Sequence, residues 1–360
     1  MDRMRVAWVM LAAALALAGP AAGGDFLARD EPVTQGGAPG WPVQPLDEQH
    51  PVRGGFLDPR LDRSGPVYHN GLDISVRDDQ PEDGHPPWRT HRVYALEGGT
   101  AWVPHGLATQ SCNTRLVRIG HFGYGHVDPV GTVADGEAVA AGQLIGWSCK
   151  DEWHVHLSQW RFEEGERVWV NPLGPDRRVR PYVDTAPPEI RAIAFFRPVA
   201  PVWVIANNAL SSGPVEDPVP GGALRGTVDA RIETADVQSF TGWFDDLPFL
   251  AAEQTPYELR VSLARGGLVI WNRAVFGADE LPSAAPFADR FAPGTVQNLP
   301  AAACIRVLPD ACGGSYWFHL FPGTGWNTTA LVNGAYSLCA TALDAGGNAT
   351  RSCAAVGIEN

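Results

Sequence analysis

Histidines are concentrated in one part of this 360-residue sequence. Nine of the ten lie between His50 and His156, and only His319 lies further along the chain. Imidazole is the commonest side-chain ligand of transition metals, and it also serves as a general base near neutral pH. We therefore expect the chemistry of the protein in the region between residues 50 and 156.

Two short motifs in that region could bring three metal ligands together. HNGLD supplies His69 and Asp73, and its Asn-Gly pair favours a turn that folds the imidazole and the carboxylate towards a common point. HVH supplies His154 and His156 about eighty residues later. Alternate side chains of a strand share one face, so both of these imidazoles can reach one site. Two imidazoles and one carboxylate predict a zinc site with a fourth position for water, which suits hydrolysis.

Short strands joined by turns are expected to position these side chains. From Val67 to about Tyr182, brief β-branched and aromatic runs are bounded by Gly, Pro or Asp, which is typical of an antiparallel β domain. The abundance of glycine (40 residues) and proline (31 residues) suits the same pattern. The runs are VYAL (93–96), TRLVRIGHF (114–122), QLIGW (143–147), HVHLSQWRF (154–162) and RVWV (167–170).

A second β-rich region begins at DTAPPEI (184–190). The segments APVWVIA, GTVDARI and YELRVSLARGGLVIW have the pattern of closely spaced strands, and a turn is predicted at 344–348. The closing GAYSLCATALDAGGN resembles an immunoglobulin-like β-sandwich of the kind appended to secreted bacterial enzymes. We predict a mainly β chain with four parts: a signal peptide (1–23), an extended lead-in (24–60), an antiparallel β domain (61–182) and an immunoglobulin-like β-sandwich (183–360).

The N-terminus has the pattern of a secretory signal. Arg3 and Arg5 precede an apolar stretch (6–18) and then small residues, so we expect cleavage near Ala22 or Gly23. The apolar stretch is short for a membrane span, and no cysteine near the cleavage site could accept a lipid. The predicted location is therefore secreted or periplasmic, with no membrane anchor after cleavage.

An oxidising compartment would let the six cysteines form three disulfides. Pairing between near neighbours is our preferred connectivity, although the sequence alone leaves others open. The preferred pairs are Cys112–Cys149, Cys304–Cys312 and Cys339–Cys353. A cysteine metal cluster is disfavoured because no CxxC spacing is present.

The acidic composition disfavours nucleic acid as a partner. The 27 basic and 40 acidic residues give a formal net charge of −13, which opposes binding to phosphate backbones.

The acidic run Asp78–Asp83 lacks EF-hand spacing and predicts a solvated loop rather than a calcium site. Five histidines are expected to be structural or surface groups: His50, His85, His91, His105 and His121.

The ordered motifs resemble those of the lysostaphin-type zinc endopeptidases, also called LytM-like peptidoglycan peptidases. That family has HxxxD, then YxH, then HxH, and here YHNGLDI, YGH (124–126) and HVHLSQWRF follow in that order. The resemblance covers residues 65–175 or so. It implies that His69, Asp73 and His156 bind Zn2+, and that His126 and His154 are catalytic groups beside the open coordination site.

The same resemblance implies a function for the β domain at 61–182. We expect a secreted zinc metalloendopeptidase with a catalytic groove, which hydrolyses peptide bonds of bacterial cell-wall peptidoglycan by zinc-activated water. Either His154 or His126 could accept the proton of that water, and the other could stabilise the oxyanion. Two alternatives are a catalytically silent protein that binds the wall or regulates a hydrolase, and a secreted peptidase that acts on other proteins.

Two departures from the family pattern concern the shape of the groove and the choice of substrate. The usual glycine-rich approach to HxH is replaced by WSCKDEW (147–153), and the Phe-Glu that often follows is Leu157-Ser158. A Cys112–Cys149 disulfide could stiffen the segment in place of glycine-mediated turns.

Overall fold

Antiparallel strands make up most of the fold. The computed structural model has 49% strand and 5% helix, so the mainly β fold predicted from the sequence is confirmed. The predicted signal peptide (1–23) lies outside the described residues. Those residues are 40–62, 65–105, 111–175, 178–198, 204–206, 209–211, 218–240, 253–282, 287–298, 313–321 and 325–360.

The first region, residues 40–182, is built from short strands. The predicted runs QLIGW, HVHLSQWRF and RVWV match strands to within two residues, whereas VYAL (93–96) overlaps only the last two residues of the strand Arg89–Tyr94. The described strands are β1 (Val52–Gly54), β2 (Pro59–Asp62), β3 (Gly65–Tyr68), β4 (Leu72–Ser75), β5 (Arg89–Tyr94), β6 (Gly99–Trp102), β7 (Leu116–Ile119), β8 (Phe122–Gly125), β9 (Val127–Asp128), β10 (Ala138–Val139), β11 (Leu144–Cys149), β12 (His154–Glu163) and β13 (Glu166–Val170). The main sheet has the order β1-β4-β12-β8-β7-β6-β10, with β13 also paired to β12. A smaller sheet has the order β5-β11-β9, and β2 pairs with β3.

One predicted run forms two strands. TRLVRIGHF (114–122) is divided into β7 and the start of β8, which pair with each other across a tight turn. Gly120 makes this turn possible because its φ of +56° is readily adopted only by glycine. The turn carries His121 to Glu97, where the imidazole Nδ1 lies 3.1 Å from Oε1.

The second region contains the remaining described strands. They are β14 (Glu189–Phe196), β15 (Val204–Ala206), β16 (Ala209–Ser211), β17 (Thr227–Ala235), β18 (Glu258–Arg265), β19 (Leu268–Gly277), β20 (Tyr316–His319), β21 (Trp326–Asn327), β22 (Gly334–Leu343) and β23 (Ala349–Ile358). One antiparallel sheet has the order β14-β17-β20 with β21 on β17, and another has the order β19-β18-β22-β23. Two such sheets fit the predicted β-sandwich.

Helical turns are few and short in the described residues. The α-helix α1 spans Phe287–Arg290, and 3-10 turns span Cys112–Thr114, Gly221–Ala223 and Thr328–Ala330. A membrane-crossing helix is not found among the residues that the structure describes.

Two of the three predicted disulfides are present. Cys112 bonds to Cys149 with a Cα–Cα distance of 5.6 Å, and Cys339 bonds to Cys353 across β22 and β23 with a Cα–Cα distance of 4.0 Å. The third predicted pair, Cys304–Cys312, lies outside the described residues. The two bonds fit a chain that folds in an oxidising compartment.

The described residues, from 40 to 360, belong to one compact unit. The strands before and after the predicted boundary at residue 182 belong to different sheets, and the boundary itself stays a prediction. Buried apolar side chains of both regions join one hydrophobic cluster, from Trp41 to Ile358. Hydrogen bonds also cross between the regions: Asp58 Oδ1 accepts from the backbone N–H of Thr255 at 2.8 Å.

Candidate metal centre

Strand register brings the predicted ligands together. In the pairing of β12 with β4, His156 lies directly opposite Asp73. Directly opposed residues project to the same face of a sheet, so both side chains point to one side. His69 reaches the same point from the segment just before β4, as the HNGLD turn predicted.

Three donor atoms converge at this point, which we call the metal centre (His69, Asp73 and His156). His69 Nε2 lies 3.0 Å from Asp73 Oδ1, and His156 Nδ1 lies 3.1 Å from the same oxygen. The two imidazole nitrogens are 2.9 Å apart. Ligands of a tetrahedral zinc ion with bonds of about 2.0–2.2 Å are separated by about 3.3 Å, so the three atoms need to move only a few tenths of an ångström to hold one.

The other ring nitrogen of each imidazole is occupied. His69 Nδ1 donates to the backbone oxygen of Gly55 at 2.7 Å, so a neutral His69 presents a bare Nε2 to the centre. His156 Nε2 contacts Ser158 Oγ at 2.9 Å, and when that nitrogen carries the proton Nδ1 is bare as well. Two bare nitrogens facing a carboxylate oxygen form a donor set of the kind that can hold a metal ion.

Electrostatics keep the ligands in the states that bind metal. Burial would raise the pKa of Asp73, but the imidazoles of His69 and His154 and the hydrogen bonds at the carboxylate outweigh it and hold this pKa well below its usual range. Burial lowers the pKa of His69 to about 4 despite the attraction of Asp73. Asp73 is therefore an anion and His69 a neutral imidazole at neutral pH, as ligation requires.

Arg60 fixes the carboxylate from the other side. Its Nη2 donates to Asp73 Oδ2 at 3.2 Å, which leaves Oδ1 for the imidazoles. The guanidinium also lies 3.7 Å from Asp58 Oδ2, so it bridges two buried carboxylates. Arg60 lies at the end of the predicted lead-in (24–60), and this segment also contributes β1, which pairs with β4.

Glycine is required where two strands approach the centre closely. A Cβ at Gly71, inside HNGLD, would lie 2.5 Å from the backbone oxygen of Leu157 and 2.9 Å from His156 Nε2. Both distances are too short for a carbon atom, so a larger residue would push His156 away from Asp73. The motif HNGLD thus supplies two ligands and the space for a third.

His154 and His126 lie beside the metal centre, as predicted. His154 Nε2 is 3.5 Å from Asp73 Oδ1, and the rings of His126 and His154 have centroids 4.6 Å apart. The ring of His126 is 6.4 Å from that of His156. Glu152 joins the two catalytic candidates, because its carboxylate lies 3.9 Å from His126 Nδ1 and its backbone oxygen accepts from His154 Nδ1 at 2.6 Å.

The backbone that presents His126 has an uncommon conformation. Its φ is +58°, a left-handed value that costs energy in a non-glycine residue and is often associated with functional sites. The backbone oxygen of His126 accepts from Cys149 N at 2.8 Å, and Cys149 is bonded to Cys112. The disulfide therefore anchors Cys149, whose backbone N–H holds the backbone of His126 in position.

Four supporting residues were not identified from the sequence: Arg60, Ser158, Glu152 and Asp78. Asp78 contradicts the expectation that the acidic run 78–83 is solvated, because it is only 6% exposed. It accepts from the hydroxyl of Thr90 at 2.7 Å and from the backbone of Trp153 at 3.0 Å, immediately before His154. Ser158 and Glu152 had a sequence signal, because both lie in segments beside HxH that depart from the family pattern.

The other described histidines of the first region lie outside the metal centre. His50 Nε2 contacts the backbone oxygen of Pro45 at 3.0 Å, and His85 Nδ1 contacts that of Arg89 at 2.9 Å.

Comparison of the chain with protein-family models and with curated proteins finds no match. The function must therefore be inferred from the side chains and their geometry.

Proposed function

We propose that the protein is a secreted zinc metalloendopeptidase that hydrolyses peptide bonds of bacterial cell-wall peptidoglycan. The observation that supports a hydrolytic centre is the convergence of His69 Nε2, Asp73 Oδ1 and His156 Nδ1 beside two further imidazoles. The substrate class comes from the resemblance of the ordered motifs to the LytM-like peptidases. The two disulfides support an exported protein.

The three donor atoms of the metal centre would hold the zinc ion. When bound, zinc supplies Lewis acidity, which lowers the pKa of a water molecule and polarises a carbonyl group. Two hydrogen bonds hold ligands in place: the Arg60 guanidinium donates to Asp73, and His69 donates to the backbone oxygen of Gly55. Such outer contacts commonly set the affinity for metal.

We assign the proton-accepting role to His154. Its Nδ1 donates to the backbone oxygen of Glu152, so the neutral ring presents the lone pair of Nε2 towards the centre. Burial lowers the pKa of His154 well below its usual value, although Asp73 opposes this effect. A neutral imidazole with a lone pair beside the reacting atoms is suited to accept a proton from the attacking water.

We assign the donor role to His126. Its Nδ1 lies 3.9 Å from the carboxylate of Glu152, which orients the ring. A protonated imidazole beside His154 can donate to the oxyanion of the tetrahedral intermediate and then to the leaving amine. The pair then contains one acceptor and one donor, which is what peptide hydrolysis needs.

Release of dye from labelled peptidoglycan by the mature protein tests this proposal, with a casein substrate measured in parallel. Asp73→Ala should lower the rate at least about 1,000-fold because a metal ligand is lost. Asp83→Ala, on an exposed residue, is the matched control and should retain full activity. Zinc binding with no release from either substrate would favour the silent regulator, and cleavage of casein alone would exclude the wall as substrate.

A further inference from the structure

Three buried carboxylates gather far along the chain from the metal centre. Asp184 precedes β14, Asp236 follows β17, and Asp344 begins the turn between β22 and β23. One carboxylate oxygen from each lies within 4.8 Å of the other two. The residues are 6%, 6% and 2% exposed, respectively, and we call them the carboxylate cluster.

The negative charge of this cluster is not compensated by the described residues. Among the described ion pairs, none involves these three carboxylates. Asp236 Oδ1 is buried and has no hydrogen-bond partner within the described part of the chain. Burial, followed by the charges of Asp184 and Asp344, raises the pKa of Asp236 well above its usual value. A buried carboxylate of this kind requires a cation or a proton.

The backbone holds the carboxylates in fixed positions. Asp184 Oδ1 accepts from the backbone of Ser239 at 2.9 Å, and Asp344 Oδ1 accepts from that of Asn348 at 2.8 Å. The side-chain amide of Asn348 contacts both Asp344 Oδ2 and the backbone oxygen of Asp184, at 2.7 Å and 2.8 Å. The three carboxylates therefore approach each other in the folded chain although they repel.

Donor type identifies the class of cation. The cluster offers carboxylate oxygens and contains neither an imidazole nor a thiolate. Hard cations prefer such ligands, and Ca2+ accepts an irregular set completed by backbone oxygens and water more readily than Mg2+ does. We propose that Asp184, Asp236 and Asp344 bind a calcium ion that stabilises the fold.

The position of the cluster gives this ion a role in both regions. Asp236 exchanges backbone hydrogen bonds with Gln254, at 2.9 Å and 2.8 Å. The side chains of Gln254 and Gln238 bond to the backbone O and N of Val52, at 2.5 Å and 2.9 Å. Val52 lies in β1, the strand that pairs with the segment carrying Asp73. Calcium at the cluster would thus steady the strand that flanks the metal centre.

Calorimetric titration of the mature, zinc-loaded protein with CaCl2 tests the proposal, with MgCl2 as the parallel titrant. EGTA removes calcium beforehand and is then dialysed away, and zinc is restored to one per chain before the titration because EGTA also binds zinc. We expect saturable binding of about one Ca2+ per chain and a rise of a few degrees in Tm at saturating calcium. Asp236→Asn and Asp344→Asn should lose both responses, and the matched control Asp83→Asn should keep them.

Several results would overturn this assignment. They are the absence of saturable Ca2+ binding by the wild-type protein at about 10 mM, unchanged binding in both cluster variants, and a stronger response to MgCl2 than to CaCl2. The wild-type titration decides the matter even if a variant fails to fold. Asp73→Ala should keep the calcium response, so failure of the proposed hydrolase function would leave this result unchanged.

Discussion

Asp73 in the first region and Asp236 in the second are buried to nearly the same extent, 8% and 6% exposed. Their pKa values nevertheless depart from the usual value of aspartate in opposite directions. The pKa of Asp73 lies well below its usual value because imidazoles surround it, and that of Asp236 lies well above because burial is reinforced by other carboxylates. Burial alone therefore does not determine the state of a carboxyl group. The neighbours determine the state of a buried carboxyl group, and in our proposals they distinguish a zinc site with imidazole ligands from a calcium site.

The surroundings of the two sites differ in the same way. The metal centre has two more imidazoles within reach, and His154 Nε2 lies 3.5 Å from Asp73 Oδ1. The carboxylate cluster has backbone amides and the Asn348 side chain as its neighbours. Two imidazoles suited to proton exchange lie at the first site, whereas the described neighbours of the second, which include the Tyr182 hydroxyl 3.5 Å from Asp184 Oδ2, hold carboxylate oxygens in place. This contrast supports catalysis at one site and stabilisation at the other.

Removing the two imidazoles that lie beside the metal centre should have the largest effect, which is a loss of hydrolysis without a loss of zinc. We expect His154→Ala and His126→Ala to lower the rate of peptide hydrolysis by about 100- to 10,000-fold and to retain zinc. His156→Ala should lose zinc as well as activity. His121→Ala is the control, because His121 contacts Glu97 away from the centre. Zinc loss in His154→Ala, or an equal loss of rate in His121→Ala, would contradict the assigned roles.

Removal of the disulfides should have the second-largest effect, and it should differ between the two regions. Cys112 and Cys149 are 37 residues apart, so Cys112→Ser with Cys149→Ser should lower the free energy of unfolding by about 4 kcal/mol. Activity should also fall, because Cys149 N holds the backbone of His126. The Cys339–Cys353 bond spans a sequence separation of only 14. Cys339→Ser with Cys353→Ser should therefore lower the free energy of unfolding by about 3 kcal/mol and leave the rate constant of peptide hydrolysis unchanged. Urea unfolding and peptide release measure both effects; unchanged stability and activity after reduction would remove the supporting role of the first bond.

Acid should weaken the first region through its buried imidazoles, with the smallest effect of the three. Burial lowers the pKa of His50 to about 4, whereas histidine in the unfolded chain titrates near 6.5. Between these values the unfolded chain binds a proton that the folded chain does not, so the free energy of unfolding falls as the pH falls from about 6.5 to about 4.

His50→Gln should remove about 3 kcal/mol of this pH dependence, since glutamine can still donate to the backbone oxygen of Pro45. Urea unfolding at several pH values provides the measurement. His105→Gln, on an exposed residue, should leave the slope unchanged. An identical slope in wild type and His50→Gln would show that this imidazole is not buried in its neutral form.

The sequence was informative where chemistry depends on alternation and spacing. The two-residue period of HVH predicted that His154 and His156 share a face, and the turn residues of HNGLD predicted the return of Asp73 towards His69. Near-neighbour pairing predicted Cys112–Cys149 and Cys339–Cys353. Each of these inferences depends on local geometry that the residue types largely determine.

Contacts between distant segments could not be predicted in the same way. The ion pair of Arg60 with Asp73 joins β2 to β4, which belong to different sheets, and no single motif determines this contact. Asp78 lies in an acidic run whose composition indicates solvent, yet the strands around Thr90 bury it. The carboxylate cluster joins residues more than 50 positions apart along the chain, so only the folded arrangement reveals it.

The metal content of the mature protein, measured by mass spectrometry after exhaustive dialysis, tests the central claim most directly. We predict about one zinc per chain in the wild type and in Asp236→Asn, and essentially none in Asp73→Ala. A wild-type protein that retains no zinc after growth with zinc, or an Asp73→Ala variant that retains as much as the wild type, would contradict the account.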